Sequence, residues 1–236
     1  MSSFIINPYS YVTGTTLKTG LVSIWELEEV SGSTAYDSYG TNNLTNTGLT
    51  VGATGIIGRG YSNTGVTSYH LNYGSNLITG FPFSTSIWFY SYASNPNVPM
   101  FFSNYNASYY GILVTVSNTL CQMQYGDGTG AGSSDRKSWR WPYTFLGSTW
   151  YNLVATGSSL AAADNKYYIN GTALTGQYLS GTATTVSWAS GYTTVISPVA
   201  ILNGIIDQAT IWNKVLTQAE VDLLWNSGNG LAYSSW

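Results

Sequence analysis

The chain has 236 residues and a formal net charge of −3, enough length for one large domain with a substantial core and no general attraction to nucleic acid or an anionic membrane. Charged residues are only 7%, while Ser, Thr, Asn and Gly account for 104 positions; this excludes a helical bundle or coiled coil with rows of Glu and Lys, and a charge-rich disordered tail. A single cysteine, Cys121, and a single histidine, His70, exclude an internal disulfide framework, a Cys/His metal site and most nucleophile–His–acid arrangements.

Residues 1–20 read as an N-terminal arm, with apolar Phe4-Ile5-Ile6, a break at Asn7-Pro8 and a turn-rich stretch from Gly14 to Gly20. No basic, apolar leader opens the chain and no run of 18 apolar residues occurs, so neither a signal peptide nor a spanning helix is expected. From Leu21 onward, strand patterns alternate with turns. Leu21–Leu27 is the first. Phe83, Thr85, Ile87 and Phe89 then alternate against Ser84, Ser86, Trp88 and Tyr90, the period of a sheet. Ile112–Val116 and Leu120–Tyr125 form neighbours joined at Ser117-Asn118-Thr119. The segment Gly126–Gly147 reads as the longest irregular stretch between strands, a length that often carries function. Trp150–Thr156 is a further strand, and Lys166–Leu174 a hairpin whose Asn170-Gly171 supplies the positive φ angles of a type I′ turn. Val195–Leu202 and Gly204–Trp212 follow. Thr217-Gln-Ala-Glu220 has capping-box spacing, Val221, Leu224 and Trp225 form one stripe, and Gly228 is placed to end this single helix. The architecture expected is all-β: a two-sheet antiparallel jelly-roll sandwich, residues 21–236, with one short C-terminal helix.

Three blocks stand in order: Gly20–Asn43, with Leu-Val-Ser-Ile-Trp and then Ser-Gly-Ser-Thr-Ala-Tyr-Asp-Ser-Tyr-Gly-Thr-Asn-Asn; Gly147–Thr156 followed by Lys166–Gly171; and Asn203–Trp225, with Ile-Asp-Gln before Thr-Gln-Ala-Glu-Val. Together they resemble the laminin-G-like branch of the concanavalin A-like lectin/glucanase superfamily. The resemblance implies a jelly roll, which hosts lectins, glycosidases and structural modules alike. It also implies a calcium position at Asp37, Asn43 and Asp207. Calcium takes about six to eight oxygens, and two acids plus an amide make a weak set, so a turn-capping Asp37 and a locally paired Asp207 are the competing reading.

The candidate chemistry lies in two places. Glu26, Glu28 and Glu29 are the carboxylates to weigh as a glycosidase pair, which needs an acid and a nucleophile about 5–5.5 Å apart. Glu26 and Glu28 are expected on one strand face, but the superfamily's Glu-x-Asp-x-x-Glu pattern is absent, so no enzyme is expected. Asp135–Pro142 holds three of the seven basic side chains and two tryptophans. Trp139 and Trp141 are candidates to stack on sugar rings, with Arg136, Lys137 and Arg140 for acidic or carbonyl groups and Tyr125 and Tyr143 extending the platform. The other reading has the tryptophans anchoring the loop.

The weakly charged, Tyr-rich chain is similar to stand-alone laminin-G-like proteins of bacteriophage particles. The function expected is a non-enzymatic virion component, in capsid decoration or a tail or fibre. It would be anchored to other virion proteins through residues 4–11 and adhere to glycans; a soluble carbohydrate-binding lectin is the alternative. Neither nucleic acid nor membrane is an expected partner, and a homo-oligomer is compatible with the sequence.

Overall fold

The computed structural model describes residues 15–94, 96–103, 109–117, 119–188, 193–195 and 202–236. Residues 4–11, expected to anchor the protein to a partner, lie outside them. In chain order the elements are α1 (Thr15–Lys18), β1 (Leu21–Trp25), β2 (Thr34–Ala35), β3 (Leu44–Thr47), β4 (Thr50–Thr54), β5 (Arg59–Thr64) and β6 (His70–Tyr73). Next come β7 (Phe83–Ser91), β8 (Asn97–Ser103), β9 (Tyr110–Ser117), β10 (Leu120–Asp127), β11 (Arg136–Pro142) and β12 (Thr149–Gly157). The last are β13 (Asn165–Ile169), β14 (Thr172–Ala173), β15 (Tyr178–Ser180), β16 (Thr193–Val195), β17 (Asn203–Trp212) and α2 (Gln218–Trp225).

The described strands form two antiparallel sheets. One runs β14-β13-β12-β7-β17-β5-β4, with β1 also paired to β17; the other runs β15-β11-β10-β9-β8-β16-β6-β3-β2. The long β17 divides its free edge, pairing with β5 through Asn203–Ile206 and with β1 through Ala209–Trp212. Period-2 alternation builds the core between the sheets: Phe83, Ile87 and Phe89 of β7 face Val114, Val116, Met123 and Tyr125 of β9 and β10. The opposite face of the first sheet is buried too. Ile24, Val154, Tyr168 and Trp212 pack under Leu17 of α1, Val221 and Leu224 of α2, and Trp236.

Local signals explain the ends of elements. Asn170 (φ 53°) and Gly171 (φ 78°) turn the β13–β14 hairpin, as the type I′ pattern requires. Thr217 Oγ1 accepts from Glu220 N while the Glu220 carboxylate accepts from Thr217 N, closing the capping box. The helix stops earlier than Gly228, because Asn226 takes the left-handed conformation (φ 44°). At the other end, part of the expected arm is a single helical turn. Leu17 is buried there, and its carbonyl accepts from Trp212 Nε1 at 2.7 Å.

Much of the expected irregular stretch Gly126–Gly147 is regular. β11 pairs residue for residue with β10 from Leu120↔Pro142 to Gly126↔Arg136. Only a short loop remains between them. Asp127 Oδ1 accepts from Thr129 N and Asp135 Oδ2 from Gly132 N, which ties that loop down.

Candidate surface on the outer face of the nine-stranded sheet

The alternation of β11 splits the residues expected to act together. Trp139 and Trp141 point into the sandwich and are 6% and 2% exposed. Tyr125 is fully buried, its hydroxyl paired with the Asn165 side chain and its ring edge-on to Phe81 at 5.2 Å. Burial holds that hydroxyl's pKa well above its ordinary value. Trp141 packs 5.6 Å from Tyr167, and half-buried Tyr143 lies 4.7 Å from Phe145. The tryptophans therefore anchor β11, and their faces are not open to a sugar ring. The physical reason is register: they stand opposite Met123 and Cys121, on the core side of β10. Lys137 shares that side near the rim, its ammonium 5.5 Å from the Trp139 ring centroid.

Arg136 and Arg140 stand on the other face. Arg136 Nη1 donates to Tyr109 Oη at 3.1 Å, and its guanidinium lies 5.3 Å from that ring's centroid. Arg140 sits between Tyr178 of β15 and Gln122 of β10, directly opposite each. Its Nε donates to Gln122 Oε1 at 2.8 Å. Gln122 Nε2 donates to Gln124 Oε1 at 3.2 Å, which also accepts from Ser138 Oγ at 3.0 Å. The result is a connected polar strip across β10 and β11, rimmed by Tyr178 of β15, which is 44% exposed. Sequence reading missed Gln122, Gln124, Ser138 and Tyr178. The signal available was the polar set at alternate positions of Leu120–Tyr125, opposite Cys121, Met123 and Tyr125.

Of the expected metal ligands, Asp37 and Asn43 lie together and Asp207 lies apart from them. Asp37 accepts from the backbone N–H groups of Ile24, Tyr39 and Asn42, each at 3.1 Å, while its own N–H donates to Asn43 Oδ1. It flanks Trp25 on one side of β1, and Ala209 of β17 flanks Trp25 on the other, so β1 separates Asp37 from Asp207. No group of three or more His, Cys, Asp or Glu side chains that could hold a metal ion occurs among the described residues.

Asp207 is 0% exposed beneath the β4–β5 turn. Its Oδ2 accepts from Ile57 N at 2.9 Å, and Oδ1 has no partner among the described residues. Across the strand pair, Trp88 lies directly opposite, its Nε1 also unpartnered among the described residues and its ring stacked on Trp225 at 5.3 Å. Desolvation raises the Asp207 pKa from 3.8 to about 8; the nearby Glu28 charge adds to this, and the Ile57 N–H opposes it.

Of the carboxylates weighed as a glycosidase pair, Glu28 and Glu29 act as braces. β1 ends at Trp25 and Leu27 has φ 62°, so Glu26 and Glu28 do not share a strand face. Glu28 accepts from Arg59 N, and Glu29 accepts from Tyr36 N and from the Tyr61 hydroxyl. A cleft of about 270 Å³ opens beside Val22, Ile78, Phe81, Phe83 and Trp212, and no titratable side chain lines it.

The family described as the concanavalin A-like lectin/glucanases superfamily matches residues 62–222. No curated protein matches the chain in sequence. Among solved structures, Trypanosoma rangeli sialidase in complex with sialic acid is similar at TM-score 0.61 and 14% identity, over 91% of this chain and 34% of that one. The receptor-binding domain of botulinum neurotoxin C/D mosaic serotype is similar at TM-score 0.63 and 15% identity, over 89% and 52%. The binding domain of Paraclostridial Mosquitocidal Protein 1 gives TM-score 0.63 and 15% identity, over 89% and 53%. The chain thus spans between a third and about half of these structures, and the likeness is one of fold.

Proposed function

The chain belongs to the concanavalin A-like lectin/glucanases superfamily, and from that premise we propose that it is a non-catalytic recognition module that binds glycans on the outer face of its nine-stranded sheet. One observation carries the reading: exposed Tyr178 stands beside Arg140 on a sheet face, with Gln122 on the strand beyond, a ring for stacking next to groups for hydrogen bonding. The non-catalytic part rests on the carboxylates. Glu28 and Glu29 hold backbone and tyrosine donors, and Asp207 is sealed under a turn where a Cβ on Gly55 would lie 2.5 Å from Oδ2. The ligands of similar proteins, sialic acid for the sialidase and a receptor for the neurotoxin domain, agree with a recognition role.

The place proposed for the module is a phage particle, on the capsid or in a tail or fibre. The support is compositional: a surface made from hydroxyls and amides, with 7% charge, offers contact area to neighbours without strong fields. Mass spectrometry of purified virions tests that placement directly.

Glycan binding is tested by titrating the protein against a panel of neutral and acidic oligosaccharides, with Tyr178→Ala alongside. Saturable binding to at least one sugar is expected, weakened about tenfold in the variant, the scale of about 1–3 kcal/mol for an aromatic stack. Binding unaffected by Tyr178→Ala, or no binding across the panel, overturns the assignment. Turnover of any oligosaccharide overturns the non-catalytic reading.

A further inference from the structure

We infer that the group this face recognises is an acceptor-only anion on a sugar, a carboxylate or a sulfate ester. The inference rests on the glycan-binding reading above and assigns the chemistry of the ligand.

The argument is the direction of the hydrogen-bond chain. A guanidinium has donors and no acceptor, so the Gln122 atom facing Arg140 Nε is the amide oxygen. Gln122 then turns its NH₂ toward Gln124, and the Gln124 atom that receives it is again an oxygen. Ser138 Oγ, 3.0 Å from that same oxygen, donates to it. Each orientation follows from the one before, starting at a residue with no choice. The Gln124 oxygen is occupied twice, and its NH₂ makes no hydrogen bond among the described residues. The two Nη groups of Arg140 are likewise unbonded among the described residues. Ser138 is fully buried, while Gln122 Oε1 and the Tyr178 hydroxyl keep lone pairs that can accept. The open part of the strip is therefore the partly buried Arg140 fork with Tyr178 at its rim, while Gln124 is only 6% exposed. A neutral sugar hydroxyl meets the two Nη groups with a single oxygen. A carboxylate or sulfate has no proton to place, and it meets the planar fork with two parallel bonds.

Charge points the same way. Among the described residues the ion pair is Lys214–Glu220, at the capping box of α2, and Arg140 has no carboxylate partner there. A partly buried cation without a counter-ion supplies its own preference for an anion.

The test uses matched pairs in isothermal titration: trigalacturonate against its carboxyl-reduced counterpart, and a sulfated galacto-oligosaccharide against its desulfated form, at low salt and in 0.5 M NaCl. The acidic member of at least one pair is expected to bind ten-fold or more tighter than its neutral counterpart, with the advantage shrinking at high salt. Which pair shows it tells carboxylate from sulfate. Arg140→Gln, which keeps a donor for Gln122, is expected to bring the affinity for the acidic sugar down to that of its neutral counterpart in the same variant. Equal affinities within both pairs for the unmodified protein overturn the inference and leave the glycan site standing. A preference that survives Arg140→Gln overturns it as well. Absence of binding by every member overturns both.

Discussion

Replacing Asp207 by Asn makes the protein more stable at pH 8 and less stable at pH 4.5. Asp207 is an acid of ordinary pKa 3.8 held at about 8 by burial. The folded chain therefore keeps a proton that the unfolded chain releases. Between about pH 4 and pH 8 the native state binds more protons than the unfolded state, so stability falls as pH rises through that window and levels off above it. A tenfold change in proton affinity corresponds to about 1.4 kcal/mol, so the distance between the two pKa values sets an upper bound on the order of 5 kcal/mol by pH 8. Asn keeps an oxygen for Ile57 N but carries an NH₂ where Oδ1 already lacks a partner among the described residues, which returns part of the gain. The net expectation is about 1–3 kcal/mol of stabilisation at pH 8. Urea unfolding of both proteins from pH 4.5 to 9 measures it. Glu220 titrates in the opposite sense: desolvation pushes its carboxyl up, but the hydrogen bonds from Lys214 and Thr217 outweigh that and hold it below its ordinary value. Its contribution is lost as pH falls, and it cancels in the difference between the two proteins. Parallel stability–pH curves, or a variant less stable than the parent at pH 8, would show that the site accommodates the ionised carboxylate and refute the reasoning.

Two further outcomes are expected. Trp141→Ala removes a ring that fills the core against Tyr167 and costs about 3–5 kcal/mol of unfolding free energy, read by urea titration; unchanged stability with lost glycan binding would return Trp141 to a surface role. Gly204→Ala drives a Cβ into the Tyr90 carbonyl oxygen where the β17–β7 pairing begins, so it prevents normal folding, whereas Gly74→Ala meets nothing within 4 Å and is tolerated. Circular dichroism and solubility separate the two.

Where local chemistry decides, the sequence is readable. The alternation of Phe83–Tyr90, the Asn170-Gly171 turn and the Thr217–Glu220 box each act over a few residues, and each is present in the fold as expected. β11 is harder to see because its basic residues follow a Gly- and Ser-rich run and mimic a loop. The alternation of Lys137, Trp139 and Trp141 against Arg136, Ser138 and Arg140 is nonetheless present, and the core side of β10 decides it. The strip itself depends on pairing between β15, β11 and β10, and no spacing within one strand predicts that Tyr178 will stand opposite Arg140. Asp207 shows the same limit. Its place in the Ile-Asp-Gln strand is legible, but its burial comes from the turn at Gly55–Gly58, about 150 residues away in sequence.

The roof that α1, α2 and Trp236 lay over the eight-stranded sheet gives the molecule a back and a front. Copies fixed to a common scaffold by the roofed side would all present the Tyr178 strip in one direction. Individually feeble contacts would then add through avidity, and the strength of adhesion would be set by the density of display more than by any single sugar.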